Sequence, residues 1–475
     1  MKKKNSLVIP CILSALLFTA ATPVFSLDIK ATDQSSNVIE VNNDEERAIS
    51  KALENAKSGD MIIIHAGKYE DQIHITTSNL TIKADEGAVL TEEGNDIEDK
   101  SKNISDKMVN IEADDVSISG LEITGLTHSN KKSGIVPKGI YVAPGSDNVS
   151  IVNCTVHDMG IGEYDSSFNE KTDKYNAHGI IAEATLDNPI TNLKIKKCTL
   201  YNLKVGNSET LVVNGNVDNF EISGNYIYNC DNIGIDAIGF EQTKKDDPTE
   251  ITELDRARNG RIYENIVKNI SSKGNVTYEG DTCAAGIYVD GGRGIRVFDN
   301  YVSNCDIGIE VATEHKDRTV TGIIVTNNTL IKNDALAGIV IGGSDIDENG
   351  FAESCVFMNN TVYNTENSCV AIQLAKDPDN VIKNNLFIAD RDAEVYYEDE
   401  ESYGKLGEGV GNSIVDNMFN QDISEDYPKV MKENKTFKFK NIYVPSKDTK
   451  DTNVVVTVKS PEAIKGYGST GTQIK

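Results

Sequence analysis

The chain has 475 residues, of which 74 are Asp or Glu and 47 are Lys or Arg, so its formal net charge at neutral pH is −27. This charge excludes nucleic acid as a partner, because no basic stripe is available to neutralise phosphates. Tryptophan is absent, so any aromatic platform would have to use the 18 tyrosines.

The N-terminus has the features of a secretory signal. Three lysines at positions 2–4 precede an apolar stretch over 7–21, and residues 24–26 end in the pattern of a signal-peptidase site. The stretch is too short to cross a bilayer, and no later run approaches about 18 apolar residues. We therefore predict a signal peptide over 1–26, a secreted extracellular protein and no membrane span.

Glycine-led strands recur along the chain and share an alternation of buried and exposed positions. They are GIYVAP at 139–144, GIIAEA at 179–184, GIDAIG at 234–239, GIYVDG at 286–291, GIEVAT at 308–313 and GIVIGG at 338–343. TLVVNG at 210–215 and CVAIQL at 369–374 fit the same slot. Short strands that repeat at this interval are typical of a solenoid.

An asparagine recurs between these strands, in segments such as VFDNYV and VTNNTL. Its side chain tolerates left-handed backbone and can hydrogen-bond to the equivalent residue of the next coil. The recurring residues are Asn225, Asn300, Asn328, Asn360, Asn385 and Asn417. We predict an all-β fold, a right-handed single-stranded parallel β-helix of about ten or eleven coils over residues 61–420. This pattern resembles the pectin-lyase-like β-helix proteins.

The two ends of the solenoid have their own signals. Residues 27–60 predict an N-terminal strand and a capping helix, with the acidic run 43–46 as the helix N-cap. Residues 421–475 predict a C-terminal cap or tail with a strand near 452–458. Seven cysteines follow the signal peptide at irregular spacing, which favours structural packing over disulfides or metal ligation.

Carboxylates recur at the third and fifth positions of the glycine-led strands, which alternation places on the outer, solvent-facing side. These positions include Asp236, Glu310 and Asp290, and neighbouring strands add Glu183 and Asn214. Asp290 and Glu310 are expected on adjacent coils, with Cα atoms roughly 8 Å apart on the diagonal. Their carboxyl groups could reach the separation of either a retaining or an inverting glycosidase.

Three long insertions border the strands that carry these carboxylates. They span 161–178, 240–259 and 271–285, whereas the coils after residue 300 are tighter. Loops of this length in a solenoid are often functional, so we expect them to form the walls of a cleft.

The segment from Gly286 to His315 resembles the catalytic coils of the β-helix β-xylosidases, family 120 of the glycoside hydrolases. By this resemblance, Asp290 in GIYVD matches the nucleophile, Glu310 in IEV matches the acid/base, and His315 follows shortly after. The sequence departs from that family in the three fewer residues between the pair, in Gly291-Gly292 and in the additional Glu314.

We hypothesise a secreted carbohydrate-active enzyme that acts on a poly- or oligosaccharide, with a glycoside hydrolase as the favoured class. The catalytic candidates are Asp290, Glu310 and Asp236. The substrate-binding candidates are Glu183, Asn214, Tyr288, Glu314 and His315, with the Tyr288 ring packed against a sugar face. No metal site is assigned and no cofactor is required in this reading.

Two alternatives stay open. A pectate-type polysaccharide lyase would use Ca²⁺ held by carboxylates, with Asp236 and Asp290 as possible ligands and Lys316 or Arg318 as the base. A non-catalytic cell-surface or carbohydrate-binding β-helix would leave the acidic patch flat and solvated instead of recessed between the loops.

Overall fold

The structure is a computed structural model that describes residues 36–94, 97–98, 104–242, 253–375, 380–399, 412–446 and 448–475. The predicted signal peptide at 1–26 and the middle of the insertion 240–259 lie outside the described residues. Within the described ranges, no helix has both the length and the apolar character needed to span a membrane.

Three long parallel sheets run along the described chain, and each coil contributes one strand to each sheet in turn. Successive coils pair in register, so that Ile287 lies beside Ile309 and Ile309 beside Ile339. This arrangement confirms the predicted parallel β-helix. The first sheet has thirteen strands and begins at Val38, ahead of the predicted start, whereas the third sheet has eleven.

The strands of the first sheet are Val38–Val41, Met61–Ile64, Thr81–Ala84, Ser117–Ser119, Ser150–Val152, Lys194–Lys196, Glu221–Ser223, Arg261–Tyr263, Arg296–Phe298, Ile324–Thr326, Val356–Met358, Val381–Lys383 and Ser413–Val415. Those of the second sheet are Gly67–Tyr69, Ala88–Thr91, Glu122–Thr124, Thr127–His128, Thr155–Ile161, Thr199–Lys204, Tyr226–Cys230, Ile266–Ile270, Tyr301–Ser303, Thr329–Ile331, Thr361–Asn364, Leu386–Ala389, Met418–Phe419 and Lys435–Thr436. Those of the third sheet are Ile73–Ile75, Lys107–Ile111, Lys138–Val142, His178–Ala184, Leu211–Gly215, Ile235–Ile238, Ala285–Asp290, Ile307–Ala312, Ala337–Ile341, Ser368–Ile372 and Tyr397–Glu398.

Shorter elements complete the described chain. Two-stranded pairs join Ile190–Thr191 to Val217–Asp218 and Thr319–Thr321 to Phe351–Glu353, and a three-stranded sheet contains Phe439–Tyr443, Val454–Val458 and Thr472–Ile474. The α-helices are Ala48–Asn55 and Pro428–Lys432, and the 3₁₀ turns are Ser272–Gly274, Val276–Tyr278 and Pro461–Ile464.

In the glycine-led strands of the third sheet, the glycine is required by close packing. A Cβ at Gly286 would lie 2.4 Å from Val302 Cγ1, and one at Gly308 would lie 2.2 Å from the Gly338 carbonyl oxygen. The branched residues that follow, such as Ile309, are fully buried inside the solenoid. The G-I-x-V signature thus combines a site with no room for a side chain and an inward-facing core residue.

The recurring asparagines form one continuous ladder, and every predicted member belongs to it. Each side-chain amide donates to the side-chain oxygen of the next rung at 2.9–3.0 Å, in the order Asn225, Asn265, Asn300, Asn328, Asn360, Asn385, Asn417 and Asn434. The left-handed residue is the one before each predicted rung, as at Asp299 and Asn327, and not the rung itself. Asn265 and Asn434 are additional rungs.

Both ends of the solenoid are covered. At the N-terminal end, Ala48–Asn55 buries Ile49 and Leu53, but its N-cap is Arg47, which makes no side-chain cap bond, so the predicted acidic cap is wrong. At the other end, Val430 and Met431 of the short helix pack against the main core.

The predicted strand near 452–458 is Val454–Val458. Val454 and Val456 pack on Tyr301 and Ile331, so the tail folds back over the outer face of the second sheet. Of the seven cysteines in the described residues, six are buried and none is in a disulfide, as predicted for packing residues, whereas Cys283 is exposed.

We predict that Asn328→Ala lowers the free energy of unfolding by at least about 2 kcal/mol, because it leaves several buried groups of the ladder without partners. Asn328 is fully buried, accepts from Asn300, and donates to Asn360 and to the Val297 carbonyl. Urea-induced unfolding followed by circular dichroism measures the change. The matched control is Asn441→Ala at an exposed strand position, where the change should stay within about 0.5 kcal/mol. Equal losses in both variants would contradict a stabilising role for the ladder.

Candidate active site

Register in the third sheet brings the predicted catalytic residues onto three successive coils. Asp236 lies beside Tyr288, and Tyr288 lies beside Glu310, in a single column across the strands. Asp290 lies two residues along the strand from Tyr288 and pairs with Ala312, so Asp290 and Glu310 are diagonal neighbours. This is the relative placement that the alternation of the two strands predicts.

The outer face at these positions is recessed, contrary to the expectation of solvent-facing side chains. Asp236 is 2% exposed, Asp290 is 4% exposed and Glu310 is partly buried. Tyr288 is 5% exposed and packs beside Ala312. Its ring therefore cannot stack on a sugar face as predicted, although its hydroxyl lies among the carboxylates, whose repulsion adds to the effect of burial and raises the pKa of this phenol.

The insertions provide the walls of this recess. Phe240, at the start of one insertion, meets the His315 ring edge to face with centroids 6.2 Å apart. Tyr278, in another, accepts a hydrogen bond from Asn232 Nδ2 at 2.7 Å. Burial raises the pKa of the Tyr278 phenol, and repulsion from Glu209 and Glu314 contributes, which places this side chain near the carboxylates.

The third insertion, 161–178, supports the wall from behind. Its residues Ile161, Tyr175 and Ala177 form a small apolar cluster against which Val276 packs. The insertions 161–178 and 271–285 are thus joined by contacts, and the wall that carries Tyr278 has a packed base.

Asp290 is held in a defined orientation. The backbone N–H of Glu314 donates to Asp290 Oδ1 at 3.0 Å. Burial raises the pKa of Asp290 to about 7, and repulsion from Glu314 adds to the shift, whereas His315 and the Glu314 N–H act in the opposite direction. Of Asp290 and Glu310, Asp290 is therefore the one whose anion is stabilised by neighbouring groups.

Glu310 lacks such compensation. Desolvation raises the pKa of Glu310 to about 8, with further contributions from Glu314 and then Asp290. Among the causes of this shift there is no hydrogen bond or cation that favours the anion. Two carboxyl groups whose environments separate their proton affinities provide one acid and one base near neutral pH, with Glu310 retaining its proton and Asp290 losing it first.

Asp236 is the most isolated of the three. Burial raises its pKa well above the usual value, and repulsion from Glu209 and Asp290 adds to the shift. Its Oδ1 atom is buried and has no hydrogen-bond partner among the residues that the structure describes. An unpaired acceptor in a recess is a group that a bound ligand can satisfy.

His315 connects the cluster to the loop beyond Phe240. Its Nε2 lies 3.5 Å from Glu241 Oε1. Desolvation lowers the pKa of His315, but the close carboxylate of Glu241, together with Asp290 and Glu314, outweighs it, so the pKa is raised. One ligand atom from each of Glu241, Asp290 and His315 lies within 4.8 Å of the others. One imidazole and two carboxylates form a donor set that divalent cations accept, so these residues could hold a metal ion.

Two acidic members of the site, Glu209 and Glu241, were missed by the sequence reasoning. Burial raises the pKa of Glu209 to about 8, and Glu314 is the largest contributor to the repulsion. Glu209 precedes its strand, and its side chain lies 3.6 Å from His178. Comparing the residues before each strand would have found it. Glu241 lies in an insertion with no repeat to align.

Several predicted residues lie outside this cluster. Glu183 accepts a hydrogen bond from Tyr141 at 3.3 Å and is not among the groups that shift the catalytic candidates. Asn214 lies beside Glu183 on the next coil, at the edge of the cluster and diagonal to Asp236, and its buried Oδ1 has no hydrogen-bond partner in the described parts of the chain. Lys316 pairs with Asp347 at 3.8 Å, and Arg318 lies over the Phe240 ring.

Comparison with known proteins finds a sequence relative of unassigned function and structural neighbours of the same fold. Residues 243–435, less than half of the chain, match the family described as periplasmic copper-binding protein (NosD). The uncharacterized protein YwoF of Bacillus subtilis (strain 168) is 29% identical over 390 residues, which cover 80% of this chain and 77% of that protein.

Among solved structures, the polygalacturonase from Erwinia carotovora ssp. carotovora aligns with a TM-score of 0.50 and 14% identity over 78% of this chain and 94% of that chain. A mutant of the periplasmic alginate epimerase AlgG aligns with a TM-score of 0.38 and 13% identity, over 71% of this chain and 62% of that chain. The chain therefore spans less than two thirds of the length of this second structure. The polygalacturonase match shows a shared parallel β-helix fold.

Proposed function

We propose that the protein is a carbohydrate-active enzyme that hydrolyses a glycosidic bond of a poly- or oligosaccharide at the recess around Asp290 and Glu310. The observation that carries the proposal is the pair itself, in which two carboxyl groups on adjacent coils differ in the stabilisation of their anions. The predicted signal peptide at 1–26 would direct the enzyme out of the cytoplasm, and the reaction requires no cofactor.

The environment of each carboxyl group suggests its role. Glu310, which holds its proton more tightly, donates that proton to the glycosidic oxygen as the bond from C1 to this oxygen breaks. Asp290 is the anion that faces the developing positive charge at C1. It either attacks C1 to form a glycosyl ester, which water then hydrolyses, or removes a proton from the attacking water.

The recess supports an enzyme over a flat binding surface. A flat, solvated binding surface would leave its carboxyl groups in water, because each burial and each repulsion between them destabilises the folded chain. Groups with strongly shifted proton affinities in a walled cleft are typical of catalytic sites. The insertions that contribute Phe240 and Tyr278 border this site, and the one that carries Tyr278 packs on the insertion 161–178.

A polysaccharide lyase is the alternative, and one observation favours it: Glu241, Asp290 and His315 could hold a cation. A lyase also needs a base for the proton at C5 of a uronate. The two basic residues that the sequence suggested for this role, Lys316 and Arg318, make their contacts with Asp347 and Phe240 instead. We therefore favour the hydrolase.

We predict that the chain from Leu27 to Lys475 releases reducing ends from at least one member of a panel of plant, algal, host and amino-sugar glycans without an increase in absorbance at 235 nm. Asp290→Asn and Glu310→Gln should each lower kcat roughly 10²- to 10⁴-fold, because each removes a group that acts in the transition state. Reducing-end and absorbance assays run on the same samples distinguish hydrolysis from elimination.

The matched control is Glu112→Gln, a carboxyl that follows another strand of the third sheet and pairs with His74. This variant should keep full activity. Absorbance that appears at 235 nm and requires Ca²⁺ would replace the hydrolase with the lyase. Full activity in Asp290→Asn would remove Asp290 from the mechanism.

We also predict a bell-shaped dependence of kcat/KM on pH. Activity should fall below about pH 7 as Asp290 gains a proton, and above about pH 8 as Glu310 loses its proton, in line with the pKa values of these two groups. The two limbs belong to the interacting pair, so they need not match either residue separately. Initial rates between pH 5 and pH 10 measure the profile.

Residual activity of Glu310→Gln provides the internal check. Because this variant has no proton to lose at that position, its profile should keep the acid limb and lack the alkaline limb. A flat profile for the unmodified enzyme between pH 6 and pH 9 would contradict the assignment of both groups.

A further inference from the structure

Six carboxyl groups converge on the recess, and we call them the carboxylate cluster: Glu209, Asp236, Glu241, Asp290, Glu310 and Glu314. Register places Asp236, Asp290 and Glu310 on successive coils, the Glu314 N–H donates to Asp290, and a Glu241 carboxylate oxygen lies within 4.8 Å of one of Asp290. In addition to burial, repulsion from Glu314, Glu241 and Asp290 raises the pKa of Glu209. Repulsion from Glu209, Asp290 and Glu314 does the same for Asp236. A hydrolase needs two of these groups, so the remaining four call for another explanation.

Positive charge around the cluster is scarce. Among the described residues, the cation that lowers the pKa of Asp290 and Glu314 is His315. This imidazole itself forms an ion pair with Glu241. Of the neighbouring cations, Arg256 donates to the carbonyl oxygens of Gly291 and Gly292 and not to the cluster. His178, which lies beside Glu209, is neutral because burial lowers its pKa to about 3.

Two buried acceptor atoms at the recess lack a hydrogen-bond partner among the described residues. Asp236 is 2% exposed, and its Oδ1 is the first of these atoms. The adjacent coil adds a second buried acceptor without a partner, Asn214 Oδ1. A ligand suited to such a lining carries several donors and a positive charge at one point.

We infer that the recess takes a sugar that bears a free amino group, with the ammonium donating to Asp236 Oδ1 and facing Glu209. This inference rests on the proposed function and names its substrate class. An ammonium supplies three donors and one positive charge, which match the unpaired acceptors and the uncompensated carboxylates. A uronate offers further negative charge and acceptors, so it is disfavoured. Asp290 and Glu310 remain available for the bond that is cleaved.

A binding experiment without turnover tests the inference. Four β-1,4-linked trisaccharides share one backbone and carry at each residue a 2-amino, a 2-acetamido, a 2-hydroxyl or a 6-carboxylate group. Isothermal titration into Glu310→Gln, in the presence of EDTA, should show the amino form binding about 10- to 100-fold more tightly than the acetamido and hydroxyl forms, as expected for a charge-assisted bond. Glucosamine and galactosamine, each paired with its N-acetyl form, extend the test to single residues and a second configuration.

Asp236→Asn keeps the size of the side chain and removes the charge. It should reduce the preference for the amino form to about twofold or less while binding of the hydroxyl form is kept, because only the charged contact is lost. Glu112→Gln serves as the matched control and should leave the preference unchanged. Unfolding of both variants by urea establishes that each is folded.

Three outcomes would overturn the inference: equal binding of amino and acetamido forms in every pair, preference for the carboxylate form, or a preference that appears only when a divalent cation is added. The last outcome would assign the cluster to a metal ion held by Glu241, Asp290 and His315.

The proposed function can fail independently of this inference. Amino-sugar binding without hydrolysis would refute the hydrolase and keep this site, whereas hydrolysis of neutral glycans without amino-sugar preference would do the reverse.

Discussion

The structure depends on one constraint, the in-register stacking of parallel coils about 4.8 Å apart. Because every coil contributes to the same three sheets, a residue's neighbours are fixed by its place in the coil and not by its place in the sequence. The buried asparagine ladder helps to hold that register, since each rung donates hydrogen bonds to the next and a slip would leave both unpaired. The glycine positions act in the same direction, because a side chain at Gly308 would collide with the following coil.

The candidate site uses this constraint to bring acidic groups together at a cost in stability. Asp236 and Glu310 lie on the same column two coils apart, with Tyr288 between them, and Asp290 lies on the adjacent column. In water, such groups would move apart and ionise, but strands that are bonded on both sides cannot separate. The rigidity of the solenoid thus maintains proton affinities that no flexible segment could hold. The insertions complete the effect by excluding solvent.

Much of the fold could be read from the sequence, because the repeats report directly on the coil. Alternation and glycine placed Asp290 and Glu310 on adjacent coils, and the recurring asparagines identified six rungs of the ladder. Asn265 lies within RIYENIV, which has the same pattern as the predicted rungs, so this rung was missed although its signal is present. Burial of the outer face could not be predicted, since it depends on how the insertions pack, as Val276 does against Tyr175. Glu209 and Glu241 could not be predicted from the repeat either, because they lie before and after the strands that the repeat describes.

The short helix Pro428–Lys432 has a consequence that reaches beyond one molecule. The last coil of a parallel solenoid presents unpaired backbone groups and an open apolar cross-section, which together form a template for another chain. Val430 and Met431 cover that cross-section, and Asn434 closes the ladder. The tail then turns aside along the second sheet instead of extending the stack. The solenoid is in this way kept from growing end to end into filaments, so the C-terminal segment protects the solubility of a fold whose geometry otherwise favours fibre formation.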